Sequence, residues 1–244
     1  MGRVKGCGII ERGVIVKKIG LFMGSCLALL LLAVGCGGCD ESEVEIDAEV
    51  GVSAAVALTE ARVEGLVSTM GVMALTDEVQ SAEWDDMVDI LTEFEGSSIP
   101  LVAWFVLPNG SYYTVDLGLA SGNLSDRAYF PRVMAGEVVV GDLIVSKSTG
   151  LKAMVATVPV EDEGEVVGAL GVSVFLEELS ELTAADLGLS SDMVLYAVND
   201  EGVIALHSDT DMVMGNSSAL DVPEQAVSET STLLGWTFTL GVEE

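Results

Sequence analysis

Between residue 48 and about residue 94 the apolar side chains Val52, Val56, Val63, Leu66, Val67, Met70, Met73 and Leu75 recur three and four residues apart. That spacing puts them on one face of an α-helix. Trp84, Met87, Val88, Leu91 and Phe94 resume the stripe after a break predicted near Thr76 and Asp77. The methionines read as a packing face, because an unbranched thioether fills irregular gaps in a core. At Ile99 and Pro100 the pattern changes to short β-rich runs, 101–107 and 112–117, joined by Pro108, Asn109 and Gly110. Asn and Gly accept the positive φ that tight hairpins demand. Residues 126–135 read as a helix that Gly136 ends. Three strands follow at 138–145, 151–160 and 166–175, with turns at 148–150 and 161–165, and then a helix from 176 to about 187. The last part is a smaller echo: strands at 193–198 and 203–207 around the turn 199–202, a helix near 222–227, and a final strand at 236–242. Antiparallel meanders with helices segregated from them predict an α+β fold.

The N-terminal pattern is different. Lys17 and Lys18 precede an apolar run, 19–35, that ends in small residues immediately before Cys36. This is the order of a secretory signal: a charged start, an apolar middle and a small-residue cleavage site. The placement of Cys36 resembles a lipobox, in which the peptide is cut before a cysteine whose thiol carries the lipid. Residues 1–35 are then a signal peptide and 36–49 a short acidic tether. The run is short for a spanning helix, which needs about 20 residues. An uncleaved anchor is the alternative, and both readings place the remainder outside the membrane. Cys7 and Cys26 leave with the signal. A lipidated Cys36 leaves Cys39 without an intramolecular partner, whereas a disulfide or metal site between these two thiols is disfavoured by the lack of a nearby His.

Charge narrows the partners. The 244 residues carry 39 acidic and 10 basic side chains. Five of the bases, Arg3, Lys5, Arg12, Lys17 and Lys18, and the single acid Glu11 lie in the predicted signal, so 38 acids face Arg62, Arg127, Arg132, Lys147 and Lys152. A surface of this sign repels phosphate backbones and argues against nucleic acid. It also suits plain solubility, including in salt-rich surroundings.

One ordered set of residues carries a family resemblance: Asp126, Arg127, Tyr129, Phe130 and Arg132; then Ala135 and Gly136; then Ser146, Lys147, Ser148, Thr149 and Gly150; then Val158 and Pro159; then Gly168, Gly171 and Ser173. This combination resembles the Cache domain, an extracellular PAS-like sensor module of bacterial and archaeal receptors. A second match, from Leu195 through Asn199, Gly202 and His207 to Asp209 and again at Gly235 and Trp236, resembles the membrane-proximal module of double Cache domains. The implied organisation is a long helical segment at 50–96, a membrane-distal module at 97–178 and an abbreviated second module at 179–244.

The resemblance implies a small molecule bound in the first module, in a pocket with an apolar lining and a few polar anchors. Arg127 is the candidate grip for a carboxylate, because its planar fork donates two parallel charge-assisted hydrogen bonds; a surface or helix-capping ion pair is the competing role. Tyr129 and Phe130 would line the pocket, and Trp104 and Tyr113 on the first hairpin would close it, although each aromatic also suits ordinary core. Ser146, Lys147 and Ser148 fall in the loop that borders the pocket in the family, where Lys147 would add a second positive charge. Amino-acid-binding members hold the ligand ammonium with Asp at two places that align here with Ser146 and Ser173. An ammonium would lack a counter-charge there, which favours a simple organic acid over an amino acid.

No catalytic constellation is expected. His207 is the sole histidine, and His207, Ser208 and Asp209 are neighbours at a strand end, where successive side chains point to opposite faces. The glycines between 164 and 171 lack a following helix and a phosphate-binding Lys. No cofactor or metal site is indicated. The sequence therefore reads as a lipid-anchored sensor or binding protein, without an output domain of its own, that works through a separate membrane receptor or permease. The alternatives are a solute-binding component of a transporter and a structural or adhesive surface lipoprotein without ligand.

Overall fold

The computed structural model describes residues 47–242. The predicted signal peptide, Cys36, Cys39 and most of the tether lie outside the described residues. The Asp47 carboxylate accepts the backbone N–H of Glu49 at 3.0 Å and of Val50 at 3.3 Å. It thereby caps donors that a helix start leaves open. Helix α1 (Ala48–Met73) runs 26 residues, about 39 Å at the helical rise, and buries Val52, Val56, Val63, Leu66, Met70 and Met73 of the predicted stripe, whereas Val67 is half-buried and Leu75, past the helix end, is exposed. The chain then makes the single turn α2 (Asp77–Gln80) and enters α3 (Trp84–Ser97).

Strands β1 (Leu101–Val106), β2 (Tyr112–Thr114) and β3 (Gly118–Leu119) precede the short helix α4 (Phe130–Met134). Strands β4 (Val139–Val145), β5 (Lys152–Asp162) and β6 (Glu165–Phe175) complete an antiparallel sheet of order β3-β2-β1-β6-β5-β4. Helix α5 (Leu176–Leu187) leads to β7 (Met193–Val198), β8 (Ile204–His207), β9 (Glu224–Thr230) and β10 (Thr237–Val242), a second sheet of order β8-β7-β10-β9. The fold is α+β with antiparallel sheets, as the patterning predicts. Among the described residues no helix is long and apolar enough to cross a membrane.

Three local expectations are corrected. The helix expected near 222–227 is instead strand β9, paired with β10 from Thr230↔Thr237 to Val227↔Leu240. Pairing satisfies the main-chain groups along β10, which outweighs a weak local helical spacing. The helix expected over 126–135 shrinks to Phe130–Met134. Pro131 starts it, and the residues before it form turns that close from Arg127 N–H to Leu124 O and from Phe130 N–H to Arg127 O. The strand expected over 112–117 shortens to β2, Tyr112–Thr114, and the chain turns before β3, with Thr114 Oγ1 accepting the N–H of Leu117 at the bend.

The first sheet is covered on both faces. Leu101, Ala103 and Phe105 of β1, Met154 and Ala156 of β5, and Leu170, Val172 and Val174 of β6 join α1, α3 and α5 in a core that continues into Leu195, Phe238 and Leu240 of the second sheet. Trp104, Val106, Val155 and Ala169 face the other way and pack with Tyr112, Leu124, Tyr129 and Val133. Polar ties fix α1 against the second sheet. Glu60 accepts the Ser231 hydroxyl at 2.7 Å and the Leu233 N–H at 3.1 Å. Arg62 pairs with Asp186 of α5.

The Ser231 and Leu233 bonds hold the Glu60 carboxyl below its ordinary value of 4.5, against a small opposing effect of burial. Its contribution is complete above that ordinary value and disappears as pH falls through the lower folded-state value. Glu60→Ala should therefore lower stability by about 1 kcal/mol at neutral pH. In urea unfolding, the gap between variant and wild type should narrow as the pH is taken below 4.5.

Candidate functional site

The site is built on the sheet face opposite α1, α3 and α5. Strand β6 alternates in size. Leu170, Val172 and Val174 fill the helix-side core, whereas Ala169, Gly171 and Ser173 stand on the opposite face. The result is a shallow trough of small residues. Trp104, directly across from Gly171 in the β1–β6 register, lays its indole in that trough. A Cβ at residue 171 would stand 2.2 Å from two of the indole carbons, so only glycine admits the ring. The indole N–H donates to Ser173 Oγ at 3.2 Å. Its other side meets the Tyr129 ring at a centroid distance of 5.8 Å.

The cover is the segment between β3 and β4. Leu124 N–H bonds Gly110 O at 2.8 Å, and the Asn123 amide donates to Asn109 O at 3.0 Å, which ties the segment to the first hairpin. Lys147 Nζ donates to Asn123 O at 2.7 Å and to both Asp126 oxygens at 2.6 and 2.8 Å, which ties it to the β4–β5 loop. Between these ties Tyr112 and Tyr129 are buried, and Phe130 packs beside them. Burial raises both phenol pKa values, that of Tyr129 the further, and the nearby Arg127 guanidinium only partly offsets this. Both phenols therefore stay protonated at neutral pH and remain potential donors.

Arg127 differs from every other base in the described residues. Arg62, Arg132, Lys147 and Lys152 each pair with an acid: Asp186, Asp142, Asp126 and Glu177. Arg127 instead donates from Nη2 to the Val145 carbonyl at 2.7 Å, and its Nε is buried without a hydrogen-bond partner. A buried donor without an acceptor carries a desolvation cost of about 1–3 kcal/mol. Asp126 and Asp142, the carboxylates whose charge reaches Tyr129, are already held by Lys147 and Arg132. Arg127 is thus the base of the described residues without an ion pair, at a donor with an unused hydrogen.

Of the residues singled out in the sequence, Arg127, Tyr129, Phe130, Trp104 and Ser173 gather on this face. Tyr113 does not. It alternates with Tyr112 along β2 and stacks instead on Trp84 of α3, with centroids 5.2 Å apart. Lys147 is spent on Asp126 rather than standing as a second free cation. Ser146 is buried and turned into its own loop, bonding Ser148 Oγ at 3.1 Å and accepting the Thr149 N–H at 3.4 Å. Sequence reasoning misses Tyr112, although a one-residue shift in strand phase exchanges it for Tyr113. It also passes over Gly171 as an individual position. A glycine inside a strand is itself a sign of close approach by another group.

The second sheet holds a cleft of about 780 Å³ lined by Met193, His207, Asp209, Met212, Asp221 and Glu224. Its carboxylates oppose an anion. His207 Nδ1 accepts the Asp209 N–H at 2.9 Å, its ring stacks on Tyr196, and the Ser208 hydroxyl turns to the Leu195 backbone. No triad forms. Among the described residues, no group of three or more His, Cys, Asp or Glu is placed to hold a metal.

No family model matches the chain, and no curated protein matches it. Solved structures do. The sensor domain of the Vibrio cholerae histidine kinase DctB superposes with a TM-score of 0.63 at 12% identity, over 80% of this chain and 95% of that one. The ligand-binding domain of the Pseudomonas aeruginosa amino acid chemoreceptor PctC, in complex with GABA, gives 0.59 at 20% identity over 79% and 94%. That of the Pseudomonas fluorescens chemoreceptor CtaA, in complex with L-serine, gives 0.59 at 14% identity over 80% and 93%. The fold is therefore that of the Cache-type sensor domains, the resemblance that the sequence motifs carry.

The Trp104–Gly171 contact is open to measurement. Gly171→Ala should destabilise by about 2–3 kcal/mol through overpacking, and the loss should be much smaller when the same change is made beside Trp104→Ala. Additive effects in that double-mutant cycle would show that the two residues do not press on one another.

Proposed function

We propose that this chain is an extracytoplasmic sensor or binding protein that takes a small carboxylate in its first module. The observation that carries this reading is Arg127, which in a chain rich in acids has no ion pair among the described residues and keeps a buried N–H without an acceptor. A carboxylate would supply that acceptor and pair the guanidinium. Tyr112 and Tyr129 flank the same point with protonated phenols. GABA and L-serine, present in the two chemoreceptor structures, both bear a carboxylate, which is the half of an amino acid that Arg127 suits. The ammonium half finds no matching anion: Ser173 accepts from Trp104, Ser146 serves its loop, and Asp126 and Asp142 already hold bases. A short organic acid therefore fits better than an amino acid.

Binding is the whole of the activity in this reading, without a catalytic step. Lipid on Cys36 holds the domain at the outer face of the membrane, and a separate membrane receptor or permease receives the signal or the ligand. The sequence order of charged start, apolar run and small residues before Cys36 supports the anchor.

A thermal-shift screen of organic acids, amino acids and purines tests the ligand class. A matching acid at a hundred times its Kd should raise Tm by about 5–10 °C. Arg127→Ala should abolish the shift, and Arg127→Lys should weaken binding tenfold or more, since an ammonium cannot make the paired hydrogen bonds. A response to purines alone, or an unchanged shift in Arg127→Ala, would reject the carboxylate assignment, and a response to amino acids alone would reject the preference for a simple acid. Metabolic labelling with a fatty acid tests the anchor: wild type should take up label and partition with membranes, and Cys36→Ser should not.

A further inference from the structure

We propose that Trp104 sets the length of the ligand, restricting the first module to carboxylates of two or three carbons. This inference rests on the reading of Arg127 as the carboxylate grip and adds a limit on what the carboxylate may carry. The trough on β6 is where this limit arises. Ala169, Gly171 and Ser173 recede on the site face while large residues fill the other. Such a run of small side chains leaves volume above the sheet, and in a ligand site that volume would receive the end of the ligand remote from its charged group.

Here the volume is already taken. The Trp104 indole lies against Gly171 so closely that a single added carbon at that position would overlap it. Two further contacts fix the ring: the hydrogen bond to Ser173 Oγ and the tilted stack with Tyr129. Trp104 is 3% exposed and Tyr129 2%, so the indole has neither room to retreat nor solvent to swing into. Arg127 is half-buried beside Tyr112 and Tyr129, bonded to Val145 at the end of β4. A carboxylate held by Arg127 thus directs its chain inward, toward the Tyr129 and Trp104 rings. The inferred limit is that acetate or propionate ends before the indole, whereas a longer chain runs into it.

The hydroxyl of Ser173 belongs to the same device. It accepts the indole N–H, which would otherwise be a buried donor without a partner. Trp104 is in this sense a specificity-determining residue, with Gly171 and Ser173 as the positions that seat it.

Isothermal titration with the unbranched series acetate, propionate, butyrate, valerate and hexanoate tests this on wild type, Trp104→Ala and Trp104→Phe. Circular dichroism and melting curves check that each variant folds. In wild type, affinity should peak at acetate or propionate and fall at least tenfold by valerate. In Trp104→Ala each added methylene should tighten binding about fourfold, the gain expected from burying one CH₂, at least as far as valerate. Trp104→Phe, which keeps an aromatic ring but withdraws the part over Gly171, should move the wild-type peak to longer chains by one or two carbons. It carries the comparison if the alanine variant does not fold. Wild-type affinity that climbs through hexanoate would overturn the inference while leaving the carboxylate reading intact. A single peak shared by all three proteins would overturn it in the same way. If no acid in the series binds wild type or either variant, and Arg127→Ala behaves as wild type, the carboxylate reading fails and this inference with it.

Discussion

Strand β1 is buried at all six of its positions, and much of the first sheet's surroundings follows from that. A strand can be apolar on both faces only if both faces of its sheet are covered. Helices α1, α3 and α5 cover one, and the burial of Phe105, Leu170 and Val172 against them resembles any helix-on-sheet core. The second face is covered by a connecting segment with only five residues of helix. A segment of that kind brings main-chain polar groups with it, and these need partners. The hydrogen bonds of Leu124, Asn123 and Lys147 supply several. The candidate site is therefore the place where a sheet is closed by a few polar ties instead of by a packed helix.

The scarcity of positive charge gives those ties their meaning. With so few bases, each cation has a definite task. Arg62 joins α1 to α5, Lys152 reaches Glu177, Arg132 holds Asp142 on β4, and Lys147 holds Asp126 on the cover. Lys147 thus contributes to the site by closing the loop over it. Arg127 is the exception, and its exceptional state is a property of this arrangement: acids are abundant, yet the neighbouring ones are already engaged. An unpaired buried donor is retained in a fold only where some later partner or a compensating contact offsets it.

Strand β4 links this site to the rest of the chain. The Val145 carbonyl at its end receives Arg127, Asp142 in its middle receives Arg132, and the bulge at Gly141 brings its backbone beside the Leu234 carbonyl and the Trp236 indole of the β9–β10 connection. A side chain at residue 141 would approach that carbonyl to 3.1 Å, and its φ of 87° also favours glycine. One strand therefore touches both the ligand-facing cation and the hairpin that Glu60 anchors to α1.

The sequence alone determined the class of fold and most of its elements, because periodicity of apolar residues is a local property. The α1 stripe, the hairpin at Asn109 and Gly110, the β4–β6 meander and the turn at Asn199 to Gly202 were all legible in this way. Arg127 was legible too, as a cation in the right motif of an acidic chain. Strand β9 was not, since its state depends on a partner strand that lies beyond it in the chain. Nor was the choice between Tyr112 and Tyr113, which turns on strand phase, or the engagement of Lys147 and Ser146, which depends on loops distant in sequence. Only the tertiary structure showed that Trp104 lies on Gly171, and that Arg127 is the base left without an acid among the described residues. Both are statements about which groups meet across the fold, and no local pattern records what a side chain's distant neighbours have already taken.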